Sequence, residues 1–206
     1  MIIAIDGPSG SGKSSVSTAV ARALGLSYLD TGAMYRAMAW AMLDQGVDVT
    51  DSAAIAAVCD TVDVIPSTNP DRPGVSVGNT DVTSAIRSQE VTSAVSAVSA
   101  VPQVRELMVA LQRQIASQAP HGIVVEGRDI ASVVLPDADL KLFLTADPDA
   151  RAARRSAEAG GGVADTKARL IERDRADSSR AASPFRQSQD ALERSEEHTS
   201  ELQSHH

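Results

Sequence analysis

The sequence predicts an α/β fold of three layers, with helices covering both faces of a mostly parallel sheet. Three observations carry that expectation. A short apolar run, Ile2-Ile3-Ala4-Ile5, leads straight into a glycine- and serine-rich loop and then into a helical stretch. Further apolar runs at residues 123–125 and 140–144 alternate with helical segments, the signature of strands buried on both faces. Between these lies a stretch of short β-like pieces divided by Asn, Pro and Gly, which reads as a small antiparallel insert.

Taken in order, the first strand is ended by Asp6-Gly7, and a helix covers residues 13–24 with Val16, Val20, Ala23 and Leu24 at helical spacing. Gly25 stands where a helix C-cap belongs. Residues 27–29 read as a second strand, and Asp30-Thr31-Gly32 opens a helix running to residue 45, followed by another over 51–59. The insert spans 61–84, with β pieces at 62–65, 75–77 and 81–82. Residues 90–118 are helical with an interruption at Pro102, a residue suited to the first turn of a new helix. After the strands at 123–125 and 140–144 come helices at 148–158 and 165–176, joined by the hinge Gly160-Gly161-Gly162.

Composition narrows the function. A chain of 206 residues with 43% hydrophobic residues supports one domain with a real core, built from aliphatic residues because aromatics make up only 2%. A net charge of −8 argues against nucleic acid and anionic membranes as partners. The single cysteine, Cys59, excludes an internal disulfide and fits the core of a protein in a reducing compartment. The chain shows no signal-like opening and no apolar run of membrane-spanning length, so a cytoplasmic location is expected; a monomer is expected as well.

Gly7-Pro8-Ser9-Gly10-Ser11-Gly12-Lys13-Ser14 matches G-x-x-x-x-G-K-[ST] in full, between a buried strand and a helix, the context the motif requires. Its glycines let successive N–H groups turn inward on a phosphate, and the following helix adds the positive end of its dipole. Lys13 would reach the β- and γ-phosphates of a nucleotide such as ATP, and Ser14 would offer a hydroxyl to Mg2+. No Asn-Lys-x-Asp guanine signature occurs, and Asp71-Arg72-Pro73-Gly74 falls among turn residues, so a GTPase switch is not supported.

Lysine occurs only at Lys13, Lys141 and Lys167, while Arg128, Arg151, Arg154, Arg155, Arg173, Arg175 and Arg180 gather near strand ends and the glycine hinge. A G+C-rich gene accounts for the number of arginines but not for their arrangement. Arg151, Arg154 and Arg155 share one helix face, which costs repulsion unless an anion lies against it. Guanidinium forks suit phosphate, and phosphoryl transfer relies on positioning and charge stabilisation. His121 is placed on the surface, not as a base.

Three segments, 5–14, Leu29-Asp30-Thr31-Gly32-Ala33-Met34-Tyr35-Arg36 and Glu126-Gly127-Arg128-Asp129-Ile130, resemble the bacterial cytidylate kinases. Ile86-Arg87-Ser88-Gln89-Glu90-Val91, Pro102-Gln103-Val104-Arg105-Glu106 and the stretch 172–180 extend the similarity over residues 1–192. The resemblance implies a P-loop NTPase fold with a parallel five-stranded sheet, an acceptor-binding insert and an arginine-bearing lid at 151–165. It implies transfer of the ATP γ-phosphoryl group to CMP or dCMP. In that reading Lys13, Arg128, Arg151, Arg154, Arg155 and Arg180 serve the transfer. Thr31, Ser96, Arg105 and Asp129 hold the cytosine end; Arg36, Arg128 and Arg180 grip the acceptor phosphate; Arg173 and Asp177 reach the sugar. Plainer roles stand beside these: Asp129 as a partner of Arg128 or a helix cap, Arg105 and Ser96 as helix-surface residues, Asp177 as a solvated acid, Thr31 as a cap. Thr31 and Glu126 replace the serine and aspartate the resemblance leads one to expect.

Other small-molecule P-loop kinases and an acceptor-independent nucleotide switch are the competing classes. An adenylate kinase would show Asp-Gly-Phe-Pro-Arg where Glu126-Gly127-Arg128-Asp129 stands. Residues 194–206 resemble the translation of a sequencing-library adapter and contain three of the four histidines. The family domain is therefore expected to span 1–193 and to lack its last strand and closing helix. That loss would expose a sheet edge and an apolar face, with poor folding as the consequence.

Overall fold

The computed structural model describes residues 1–159, 162–179 and 185–195. One sheet takes the strand order β2-β6-β1-β7-β8 and a second the order β3-β4-β5. In the first, β1 is Ile2–Asp6, β2 Ser27–Asp30, β6 Ile123–Gly127, β7 Leu140–Thr145 and β8 Leu192–Ser195. In the second, β3 is Val64–Pro66, β4 Val75–Val77 and β5 Thr80–Asp81. By its contacts the chain divides into two compact units, residues 1–17 with 126 onward, and residues 18–125. Helix α1, Lys13–Leu24, carries the chain from one to the other.

In the first unit, β1 pairs in parallel with β7, from Ile3 opposite Leu140 to Asp6 opposite Phe143. Ala4 and Ile5 are fully buried, which explains the uninterrupted apolar run. Strand β8 then adds to β7 in parallel, Leu142 to Thr145 facing Leu192 to Ser195. This corrects one expectation. The edge of β7 is covered, and half of the covering strand, Arg194 and Ser195, comes from the segment read as foreign. Backbone pairing needs no apolar pattern, and Leu192 itself is exposed. Helices α6, Pro148–Ala159, and α7, Val163–Ser179, pack on one another, with Ala152 and Leu170 buried. The two phenylalanines, Phe143 and Phe185, stack with ring centroids 5.6 Å apart.

The second unit is built around α2, Thr31–Asp44, whose Met34, Met38 and Met42 are fully buried. Asp30 caps it by accepting from the Ala33 N–H at 2.9 Å, so Thr31 is not the cap. Helix α3, Ser52–Val58, is capped by Asp51, and α4, Gln89–Ala100, by Ser88. Pro102 opens α5, Pro102–Gln118, as its lack of a backbone N–H favours. The antiparallel insert pairs Val64 with Val77 and Ser76 with Asp81. Cys59 is buried and free. On α1 the predicted apolar face is wrong. Ser17 and Ala21 are buried, whereas Val16 and Leu24 are 40% and 52% exposed. Small residues let this helix approach closely, and the larger apolar ones are left outside. Among the described residues no single helix is long and apolar enough to cross a membrane.

Candidate active site

The loop after β1 holds its shape through backbone that only glycine adopts cheaply. Gly10 and Gly12 have φ of 77° and 83°. At Gly7 a Cβ would lie 2.2 Å from the Leu144 carbonyl oxygen, so glycine lets the loop seat on the end of β7. Lys13 folds back and donates from Nζ to the Pro8 carbonyl at 2.8 Å, which places its ammonium over the loop. Ser14 Oγ donates to Glu126 Oε1 at 2.7 Å. A hydroxyl and a buried carboxylate thus stand together at the end of β6, and hard oxygen donors of this kind fit Mg2+, which takes few protein ligands.

The arginine row on α6 lies over this loop. Arg151 donates to the Ser9 carbonyl at 3.1 Å and Arg154 to the Gly10 carbonyl at 3.2 Å. A Cβ on Gly10 would come within 3.3 Å of Arg151 Cβ, so the closeness of helix and loop rests on that glycine. Arg155 is half-buried on the same helix.

The anion that this row requires is supplied by the protein itself. Asp174 on α7 accepts from Arg151 Nη1 at 2.6 Å and from Arg128 Nη1 at 2.8 Å. The Ser9 N–H of the phosphate loop lies 3.5 Å from the same carboxylate. Burial alone would raise the Asp174 pKa, but the Arg128 and Arg151 guanidiniums outweigh it and hold the acid below the usual carboxylate range. Arg128 also pairs with Asp177 at 3.0 Å and lies 5.2 Å from the centre of the Phe185 ring. Asp177 is therefore a buried ion-pair partner, not a solvated acid. The structure gathers the phosphate loop, Arg128, Arg151, Arg154 and Asp177 in one unit. Asp174 was missed because it reads as one acid in a charged run; the unmet repulsion of the arginine row was the only signal for it. The side chain of Arg173 and all of Arg180 lie outside the described residues.

Asp129 is buried, and it neither caps the turn that follows nor takes Arg128 as its ion-pair partner; the Arg128 pairs go to α7. In the second unit, Arg36 on α2 donates to the Ile86 carbonyl at 3.1 Å and to Thr92 Oγ1 at 3.0 Å. Arg105 on α5 is 4% exposed, which corrects its assignment to the helix surface. Its guanidinium lies 5.4 Å from the centre of the Tyr35 ring and donates to the Ser99 carbonyl at 3.3 Å. Thr31 is buried and Ser96 half-buried on α4. Burying an arginine inside this unit is costly, and the Tyr35 ring and the Ser99 carbonyl offset part of that cost.

An α/β fold with a strand–phosphate-loop–helix opening and a guanidinium-bearing helix over the loop defines a P-loop kinase of the nucleotide-phosphorylating class. The family profile described as cytidylate kinase matches residues 3–203. A cytidylate kinase of Streptomyces avermitilis is 60% identical over 194 residues, covering 94% of this chain and 84% of that relative. One of Streptomyces griseus is 58% identical over the same shares. A solved but uncharacterized protein from Eubacterium ventriosum superposes with a TM-score of 0.50 at 13% identity, covering 99% of this chain and 96% of its own, a likeness of fold alone. The chain belongs to the cytidylate kinase family.

Proposed function

We propose that this chain transfers the γ-phosphoryl group of ATP to CMP or dCMP, giving ADP and CDP or dCDP. The observation that carries this reading is the convergence of Arg128, Arg151 and Arg154 with the phosphate loop in one unit. The names of the relatives supply the acceptor.

The amides of residues 7–14 and Lys13 hold the donor phosphates. Arg151, Arg154 and Arg155 cover them and exclude water. An oxygen of the acceptor phosphate attacks the γ-phosphorus. The bond from that phosphorus to the β–γ bridging oxygen breaks, and its electron pair leaves with ADP. The acceptor is already largely ionised near neutral pH, so no general base is required. Ser14 and Glu126 would hold Mg2+, which neutralises charge on the β- and γ-phosphates. Arg36, Arg128 and Arg180 grip the acceptor phosphate, which takes over the guanidinium of Arg128 from Asp174 and Asp177. Thr31, Ser96, Arg105 and Asp129 recognise cytosine: a carboxylate accepts from its amino group, which uracil lacks. Arg173 and Asp177 reach the sugar. The protein works as a cytoplasmic monomer on small-molecule nucleotides and not on nucleic acid; the net charge of −8 supports the last of these.

The test is ADP release with CMP, dCMP, UMP, AMP and shikimate as acceptors. Turnover is expected with the first two and little with the others. Turnover that is the same with no acceptor at all contradicts the proposal.

A further inference from the structure

Asp6 ends β1, one residue before the phosphate loop, and the transfer chemistry above gives it no role. Its carboxylate is almost fully buried. Both oxygens are used: Oδ1 accepts from the Ile130 N–H at 2.9 Å and Oδ2 from the Ala131 N–H at 2.8 Å. These are the first two amides of a π-helical turn, Ile130–Val134, that directly follows Arg128 and Asp129.

Such a turn is ordinarily capped by the residue before it, and aspartate is a favoured cap. Asp129 stands in that place, yet its side chain makes no cap hydrogen bond; its carbonyl accepts from Val133 at 2.9 Å and Val134 at 3.1 Å. The cap comes from Asp6, 124 residues away in sequence. Capping from a distance ties the end of β1 to the turn. It also fixes the backbone from which Arg128 and Asp129 project.

We infer that Asp6 is a positioning residue, which clamps the turn after Asp129 so that Arg128 and Asp129 meet the acceptor nucleotide in one fixed geometry. The inference rests on the cytidylate-acceptor reading above. A carboxylate is a costly choice for this place. Burial, and to a smaller degree the nearby Asp129, push its pKa up to about 6, against the two amides and Lys13, which pull it down. A group needed only for the fold would do better neutral. An acid kept here despite that cost points to the site.

The experiment compares Asp6→Asn, Asp129→Ala and the double variant in the full chain. It measures kcat/KM for CMP and for UMP, affinity for a non-hydrolysable ATP analogue by calorimetry, and Tm. The amide keeps the shape and one acceptor, but turns a donor towards the second N–H. Asp6→Asn is expected to fold with a Tm no more than about 5 °C below that of the parent and to bind the ATP analogue normally. Its kcat/KM for CMP should fall roughly tenfold, as a small misplacement of reacting groups does, and its preference for CMP over UMP should narrow. The double variant should lose less than the two single losses combined, since Asp6 acts in part through Asp129. Unchanged CMP efficiency in Asp6→Asn overturns the inference, as does equal loss of ATP-analogue affinity. A variant that does not fold also overturns it, because the carboxylate would then serve the fold. If Asp129→Ala keeps the full preference for CMP, the reading of Asp129 fails separately, and Asp6 is judged on CMP efficiency alone.

Discussion

The strand end around Asp6 and the helix α7 around Asp174 hold the same side chain in two opposite ways. Asp6 is met by two backbone amides and shifted up to about 6. Asp174 is met by two guanidiniums and shifted down, although burial pushes it the other way. Dipoles soften the cost of a buried charge, whereas opposite charges reverse it. The contrast assigns different work to the two acids. Asp6 holds backbone and needs no exchange. Asp174 holds the guanidiniums of Arg128 and Arg151 together.

The largest effect should come from Asp174→Ala, which leaves Arg128 and Arg151 facing each other without their carboxylate. Breaking such a pair costs about 3 kcal/mol, to be read from denaturant unfolding. An unchanged midpoint would mean that Asp177 suffices for Arg128 and the Ser9 carbonyl for Arg151.

Asp6 should show itself in the pH dependence of stability. Its folded pKa lies above the ordinary value of 3.8, at about 6, so its contribution is fully present below 3.8 and lost as pH rises through 6. The shift corresponds to about 3 kcal/mol. Asp174 has the opposite sign: its contribution is present above 3.8 and lost as pH falls through its lowered folded value. Unfolding curves of Asp6→Asn and the parent should therefore approach one another towards low pH and separate in the parent's disfavour above 6. Parallel curves would show that Asp6 does not titrate in this window.

Lys13→Ala sharpens the same contrast. Turnover should fall by roughly a hundredfold, the cost of one transition-state donor. The Asp6 pKa should rise further, because Lys13 is one of the groups that lower it. Carboxylate NMR of Asp6 in both proteins measures this. The smallest effect belongs to Gly10→Ala, where φ of 77° and the nearness of Arg151 both oppose a side chain. It should cost about 1–2 kcal/mol and loosen the lid from the loop, seen as a lower Tm.

Much of this was legible in the sequence, for physical reasons that differ by element. Strand β1, the loop and α1 announce themselves through a buried apolar run, glycines and a full motif, and Asp30-Thr31-Gly32 and Pro102 mark helix starts. Strand β8 was not legible: Leu-Glu-Arg-Ser carries no alternation and pairs through its backbone. The face of α1 was misread because Ser17 and Ala21, small residues, face inward where bulk cannot. Within the site, the loop and the arginines could be named from motif and spacing. Their partners could not. Asp174 lies 46 residues from Arg128, and Asp6 lies 124 from the amide it caps. Contacts of that range belong to the fold and leave no local pattern.

The most direct measurement follows phosphorus itself. With ATP, Mg2+ and CMP supplied to the purified chain, 31P NMR should show the γ-phosphoryl signal reappearing as the β-phosphorus of CDP, in step with ADP and with little inorganic phosphate. Inorganic phosphate accumulating while CMP stays unchanged would contradict the account.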